Sequence, residues 1–241
     1  MRLLDWSSSA PAENLACDEA LLNEVEEGER GEALRFWESP RPFVVLGVSQ
    51  QIRREARIDA CRADGVPILR RCSAGGCVLQ GPGCLNFSLI LDRSLRSGLD
   101  GVRASYCVIL GRVREALAEL GIEARIVGSS DLAVGDLKFS GNAQKRKRRA
   151  MLHHGTLLYG MDGGSMARYL LEPDDRPAYR ADRVHETFVA PVSASPEALR
   201  DVVARAWQAD PAEYAPTPAL REAIASLVQS RYDAEAWTWR R

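Results

Sequence analysis

Several things are missing from this chain, and each absence removes a class of protein. No apolar run approaches the ~18 residues needed to cross a bilayer. The opening segment MRLLDWSSSAPAEN has no apolar signal core. Neither charge sign dominates: 32 Lys and Arg stand against 33 Asp and Glu, a formal net charge of -1. No global basic field therefore argues for nucleic acid. The cysteines Cys17, Cys61, Cys72, Cys77, Cys84 and Cys107 form no C-x-x-C pair, and no Cys or His has zinc-ligand spacing. Internal repeats and long low-complexity linkers are absent. The expectation is a cytoplasmic protein with free thiols that engages neither nucleic acid nor membrane.

What is present suits one domain spanning 1–241. Its 241 residues, 46% hydrophobic and 27% charged, can bury a sizeable core without disulfides or structural metal. Asn14 can cap a helix running to Glu27, with Leu15, Leu21, Leu22 and Val25 inward. Strands are predicted at 33–37, 43–48, 68–71, 77–80, 85–91, 124–127, 132–134, 137–143 and 151–158. Helices are predicted at 54–63, 164–171, 196–207 and 218–232. Val102, Tyr106, Ile109, Val113, Leu117 and Leu120 recur at helical spacing and mark one apolar face. Gly135-Asp136 suits a tight hairpin turn. Consecutive strands on short turns favour antiparallel pairing, so the class is α+β, with mixed, mainly antiparallel sheets flanked by helices. The proline-containing stretch 172–191 reads as a surface excursion near a site.

Two runs carry chemistry. In RRCSAGGCVLQGPGC, the segment Ala74-Gly75-Gly76 lets backbone approach a ligand closely, and successive free N–H groups there can hold an oxyanion. Arg70 and Arg71 add fixed charge beside it. The run matches neither the P-loop nor the dinucleotide fingerprint, and an ordinary hairpin turn with surface arginines reads equally well. In the second run, Lys138 lies in a strand pattern ending at Ser140-Gly141-Asn142. It can face a phosphate as a point cation or be a solvated strand lysine. Asp131 can order that lysine or a metal. His153 and His154 point to opposite faces of their strand, so only one can face a given pocket. His154 is the better candidate because Gly155 leaves room beside the imidazole. The basic block 145–149 reads as a solvated hairpin loop or as a flap over a nucleotide or an acidic partner. Cys72, Cys77 and Cys84 can be acyl-accepting nucleophiles or inert buried thiols.

Taken together, these runs resemble the biotin/lipoate protein ligase family, especially its lipoate–protein ligase A branch. The family's R-R-x-S-G-G-G-x-V-x-H stands here as Arg70 to Gln80. Its N-D-L-x-V-x-G-x-K-x-S-G-x-A stands as Ser130 to Ala143, and H-H-G-T-L-L as His153 to Leu158. Weaker likeness reaches from Asn14–Glu19 to Tyr232–Trp237. The resemblance implies a fold similar to the catalytic core of class II aminoacyl-tRNA synthetases and biotin ligases. It implies that ATP and Mg²⁺ activate lipoate or octanoate to an acyl-adenylate, and that a lysine of a lipoyl carrier domain or a glycine-cleavage H-like protein then takes the acyl group. Lys138 looks like the catalytic lysine. Arg70, Ser73, Gly75, Gly76, Cys77, Gly141, Ala143, His154, Gly155 and Thr156 match the acyl pocket. Arg71, Val78, Asp131 and Lys138 match the nucleotide site, and Asp131 the metal position.

Departures from the pattern qualify the resemblance. Ala74 replaces the first glycine of the triplet, Gln80 stands where histidine is common, and Asp136 takes the turn glycine's place. The small accessory C-terminal domain of long ligases is expected to be absent, which implies a separate accessory subunit in some relatives. ATP-independent octanoyl or lipoyl transferases of the superfamily carry a cysteine just before the D-L-x-V strand. The loop Ile126–Ser130 has none. A non-catalytic lipoyl-binding relative is the third alternative.

Overall fold

Every residue of Ala33–Trp37 and of Cys84–Asp92 is buried, as happens when a strand is covered on both faces. These two strands form the middle of the molecule. The computed structural model describes residues 1–210 and 212–240. Its strands are β1 (Arg2–Asp5), β2 (Ala33–Trp37), β3 (Phe43–Leu46), β4 (Ile68–Arg70), β5 (Val78–Gln80), β6 (Cys84–Asp92), β7 (Arg125–Val127), β8 (Asp131–Val134), β9 (Leu137–Arg146), β10 (Ala150–Leu158) and β11 (Ala212–Glu213). Its α-helices are α1 (Pro11–Glu27), α2 (Ile52–Glu55), α3 (Ile58–Ala63), α4 (Val102–Ala118), α5 (Gly163–Tyr169), α6 (His185–Phe188), α7 (Pro196–Ala206), α8 (Pro218–Leu227) and α9 (Glu235–Thr238).

The strands make one sheet in the order β11-β1-β2-β6-β10-β9-β8-β7 and a second in the order β4-β3-β5. Among the described strands, β1 pairs in parallel with β2 and β11, and β3 with β4. The remaining named pairings are antiparallel, as the α+β expectation requires. Period-two alternation sorts side chains between the faces of the large sheet. Leu34, Phe36, Leu85, Phe87, Leu89, Met151 and Leu157 join Ile109, Val113 and Leu199 in one core, which α4 and α7 cover. Ala33, Trp37, Ile90 and Leu152 join Leu15, Leu21, Leu22 and Ile224 in the other, which α1 and α8 cover.

Some expectations change. The first helix begins at Pro11 with Ala10 as its cap, because proline suits N1, where no amide proton is needed. Asn14 is not the cap: it lies wholly buried within the helix, and its amide brackets Ser8, accepting from the Ser8 N–H at 3.0 Å and donating to its carbonyl at 2.8 Å. The helix predicted over 54–63 is two short helices. Between them Arg57 N–H donates to the Tyr169 carbonyl at 2.8 Å, and Leu171 N–H to the Glu55 carbonyl at 2.9 Å. Val102, expected inward, is 56% exposed, and Tyr106 and Leu120 are half-buried, while Ile109, Val113 and Leu117 are buried as expected, together with Ser105, Leu110 and Ala116. The last long helix passes into a π-helical turn at Val228–Tyr232. Lys145 and Arg146 of the basic block belong to β9 rather than to a loop. Lys147 donates to Asn23 at 2.6 Å and Arg149 pairs with Asp92 at 2.6 Å, so two cations of this turn are held by the body of the protein.

Candidate functional site

The β8–β9 hairpin places the lysine. Val134 pairs with Leu137 across Gly135-Asp136, and Gly135 takes a φ of 55°, the left-handed geometry such two-residue turns demand. The register shifts beside Ala133, so that Ala133 faces Lys138 while Leu132 faces Ser140. Phe139 is the extra residue and is buried. Lys138 Nζ then lies 2.9 Å from Asp131 Oδ1, and Tyr179 donates its hydroxyl to Asp131 Oδ2 at 2.6 Å. Burial, with Asp131 beside it, pushes the Tyr179 phenol up, so it remains a donor. A Cβ on Gly141 would meet Lys138 Cε and Nζ at 3.1 Å. The glycine is what lets the lysine lie across its own strand toward Asp131.

The glycine loop is built around Arg71. This buried guanidinium donates through Nη2 to the carbonyls of Ala74 at 2.7 Å and Gly76 at 2.9 Å, and through Nε to Ser73 Oγ at 2.9 Å. Gly75 has a φ of 94° and a would-be Cβ 3.5 Å from the Ala143 methyl, so the loop rests against β9. Ser73 Oγ lies 2.6 Å from His154 Nε2, and His154 Nδ1 lies 3.2 Å from Asp18 Oδ2. Gly155 has a packing reason of its own: a Cβ there would overlap Asn142 Oδ1 at 1.8 Å.

These elements enclose a cavity of about 420 Å³. Its wall includes Arg71, Gly75, Gly76, Cys77, Val78, Asp131, Lys138, Gly141, Ala143, His154, Gly155 and Thr156. Twelve expected site residues therefore converge. Two do not. Ser73 is fully buried behind the loop. Arg70 is also fully buried, and its guanidinium donates to the carbonyls of Gly47, Gln50 and Thr238 at 2.8 Å each. It braces the backbone away from the cavity, which corrects its expected substrate-binding role. Arg71 reaches the wall, but its named bonds are to the loop itself.

The metal expectation for Asp131 also changes. Its oxygens are engaged by Lys138 and Tyr179. Among the described residues no group of three or more His, Cys, Asp or Glu is arranged to hold an ion. This donor set makes Asp131 the counter-ion of Lys138 and does not fit a resident metal centre. Magnesium in nucleotide sites is held largely by phosphates and water.

Part of the wall lies outside the expected site residues. Leu15, Trp37, Val45 and Leu79 supply apolar surface, and Arg180, His185 and Phe188 arrive from the excursion 172–191. Leu15 was expected inward and Trp37 at the end of a strand; both are buried, and only the fold shows a cavity beside them. His185 accompanies Arg180 around Glu172, and burial keeps its pKa below the ordinary imidazole value. The thiols are poorly suited to attack. Burial lifts Cys72 to about 12 and pushes Cys77 and Cys84 up as well.

A cavity with apolar side chains, a glycine loop and the Lys138–Asp131 pair in its wall has the make-up of a small-molecule site. The chain belongs to the lipoyl protein ligase A/B catalytic domain family, whose model matches residues 10–212. A protein of Aeropyrum pernix assigned as a lipoate-protein ligase A is 34% identical over 211 residues, covering 86% of this chain and 74% of that one. An octanoyltransferase LipM of an Exiguobacterium strain is 27% identical over 270 residues, covering 99% and 98%. The fold is shared with a lipoate-protein ligase A bound with ATP, at a TM-score of 0.85 and 23% identity, over 99% of this chain and 98% of that one. It is shared equally with a bi-partite archaeal lipoate protein ligase of Thermoplasma acidophilum, described with its E2 lipoyl domain, at 0.83 and 23% over 99% and 95%. No helix among the described residues is long and apolar enough to cross a membrane.

Proposed function

We propose that this chain is the catalytic part of a lipoate–protein ligase. It joins lipoate or octanoate to AMP and passes the acyl group to a lysine of a lipoyl carrier domain or H-like protein. The observation that carries the reading is the Lys138–Asp131 pair, 2.9 Å apart in a wall that also holds the glycine loop. In the first step a carboxylate oxygen attacks the α-phosphorus of ATP, an O–P bond forms, and the bond to the leaving pyrophosphate breaks. Negative charge builds on the phosphoryl oxygens, where a fixed ammonium in a sheltered site has most effect. Asp131 and Tyr179 hold that ammonium in place. In the second step the neutral carrier amine attacks the acyl carbon, a C–N bond forms, AMP leaves with the electrons of the C–O bond, and the nitrogen's surplus proton passes to solvent. Mg²⁺ accompanies the triphosphate.

The raised thiols, and a loop at 126–130 without cysteine, favour this reading over a cysteine acyl-enzyme. The likeness to one half of a bi-partite ligase supports a separate accessory subunit. The test is incubation of the protein with lipoate, ATP and Mg²⁺, with and without a candidate accessory subunit, followed by chromatography for lipoyl-AMP. Adenylate is expected, and Lys138→Ala is expected to lower its rate by about 10²–10³-fold. Absence of adenylate, together with acyl transfer from an octanoyl thioester through a covalent cysteine adduct, would overturn the proposal in favour of the transferase.

A further inference from the structure

Behind the glycine loop lies a chain of buried polar groups that the proposed chemistry does not use. Arg35 is fully buried between the rings of Trp6 and Trp37, its guanidinium carbon 5.6 Å and 5.3 Å from their centroids. Its Nη1 lies 2.6 Å from Asp18 Oδ1. Burial alone would raise the Asp18 carboxyl, but Arg35 and the bonds from His154 and Ser88 hold it below the ordinary carboxylate range. Asp18 is thus an acceptor only. Its Oδ2 takes the Ser88 hydroxyl at 2.8 Å and faces His154 Nδ1 at 3.2 Å. The chain continues from His154 Nε2 to Ser73 Oγ, and from there to Arg71 Nε, whose Nη2 clasps the loop carbonyls.

The donors and acceptors in this chain can be assigned by counting. Arg71 can only donate, so Ser73 Oγ accepts from it. A buried hydroxyl gives its own proton to an acceptor, and beside Arg71 the partner of Ser73 Oγ is His154 Nε2, so the hydroxyl donates to that nitrogen, which carries no proton of its own. A carboxylate opposite Nδ1 requires a proton on that nitrogen. We propose that Asp18 and Arg35 are positioning residues: they fix His154 as its Nδ1–H tautomer, and through Ser73 they set Arg71 and the shape of the glycine loop. The Asp18–His154–Ser73 order resembles a nucleophilic triad. However, Ser73 is fully buried, is absent from the cavity wall and accepts from a guanidinium, so it relays orientation and attacks nothing. The loop's part in substrate binding rests on the reading above; the tautomer does not.

The test uses the full chain labelled with ¹⁵N at histidine. Three histidines are present, so each ring can be followed by its one- and two-bond couplings. His154 is expected as the Nδ1–H form in the unmodified protein, before any substrate is added. In Asp18→Asn, Arg35 holds the amide oxygen, which turns the Asn N–H toward His154 and flips it to the Nε2–H form. A merely structural Asp18 would not move that signature. Should the uncompensated Arg35 prevent this variant from folding, Ser73→Ala cuts the chain at its far end. It is expected to weaken lipoate binding by calorimetry roughly tenfold, the scale of one lost buried hydrogen bond. An Nε2–H His154 in the unmodified protein, unchanged lipoate affinity in Ser73→Ala, or labelling of Ser73 by a fluorophosphonate each overturns the relay. Failure of the unmodified protein to bind lipoate would count against the ligase reading, while the tautomer would still decide the relay.

Discussion

At the scale of single residues, the site depends on side chains that are missing as much as on those present. Gly141 is the clearest case. Its would-be Cβ lies 3.1 Å from the Lys138 ammonium, tighter than ordinary contact. Gly141→Ala is therefore expected to push Nζ off Asp131 while leaving the strand intact. Adenylation should fall about tenfold or more, as when a transition-state cation is displaced, with the melting temperature nearly unchanged. Full turnover by this variant would mean that the lysine works from another position. Lys138, His154 and the glycines stood out as candidates because each lies within a contiguous run, and the resemblance of those runs to the family's motifs gave them their expected roles. Ser73 was expected in the acyl pocket, and its burial behind the loop was not legible. Asp18 and Arg35 could not be read as a pair, since 17 residues separate them and only the docking of α1 on the sheet joins them.

At the scale of elements, Arg70 shows how burial changes a reading. A charged residue beside a glycine loop suggests a ligand. Here β4 carries it inward, where it ties the 47–50 turn to α9 through carbonyl oxygens, while Trp237 Nε1 donates back to the Arg70 carbonyl at 2.8 Å. Arg70→Ala would leave several buried acceptors without their donor, at about 1–3 kcal/mol each. It is expected to lower stability measurably and to speed amide exchange in α9. Native exchange there, combined with lost lipoate binding, would restore Arg70 to the pocket. A second element carries a pH dependence. On the far face of β10, burial lowers the His153 pKa from 6.5 to about 3. Its folded pKa lies below its unfolded one, so the unfolded chain binds the extra proton. Stability should therefore fall as pH drops from about 6.5 toward 3, by roughly 2 kcal/mol at pH 5. His153→Gln should flatten denaturant midpoints over that range, and equal slopes in both proteins would refute the assignment. The strands of the site were legible because they are long and alternate. The break at Ala56 and Arg57 was not, because it is made by pairing with Tyr169–Leu171, more than a hundred residues away.

At the scale of the whole molecule, the disposition of the thiols offers a test between a ligase and a cysteine-dependent transferase. A transferase with a cysteine acyl-enzyme needs a thiolate in contact with its substrate. Here Cys17, Cys61, Cys72 and Cys84 are buried and Cys77 is half-buried, while Cys107 is exposed on α4. Burial lifts Cys17 and Cys72 to about 12 and pushes Cys61, Cys77 and Cys84 up. At pH 8 a thiol of pKa 12 is ionised about one part in ten thousand, and the thiolate is the nucleophile. Iodoacetamide added to the folded protein at that pH is therefore expected to alkylate Cys107 first, with the other five cysteines reacting only as the chain unfolds. Incubation with an octanoyl thioester is expected to leave the intact mass unchanged. Peptide mapping checks both outcomes. If Cys77, in the cavity wall, alkylates as fast as Cys107 and also takes the octanoyl group, the cavity is a thiol active site after all. Lys138 would then assist acyl transfer from one carrier to another, and ATP would have no part in it. If Cys107 alone reacts, a cysteine acyl-enzyme is ruled out, and adenylate formation by the unmodified protein and by Lys138→Ala decides whether the chain activates the acyl group itself.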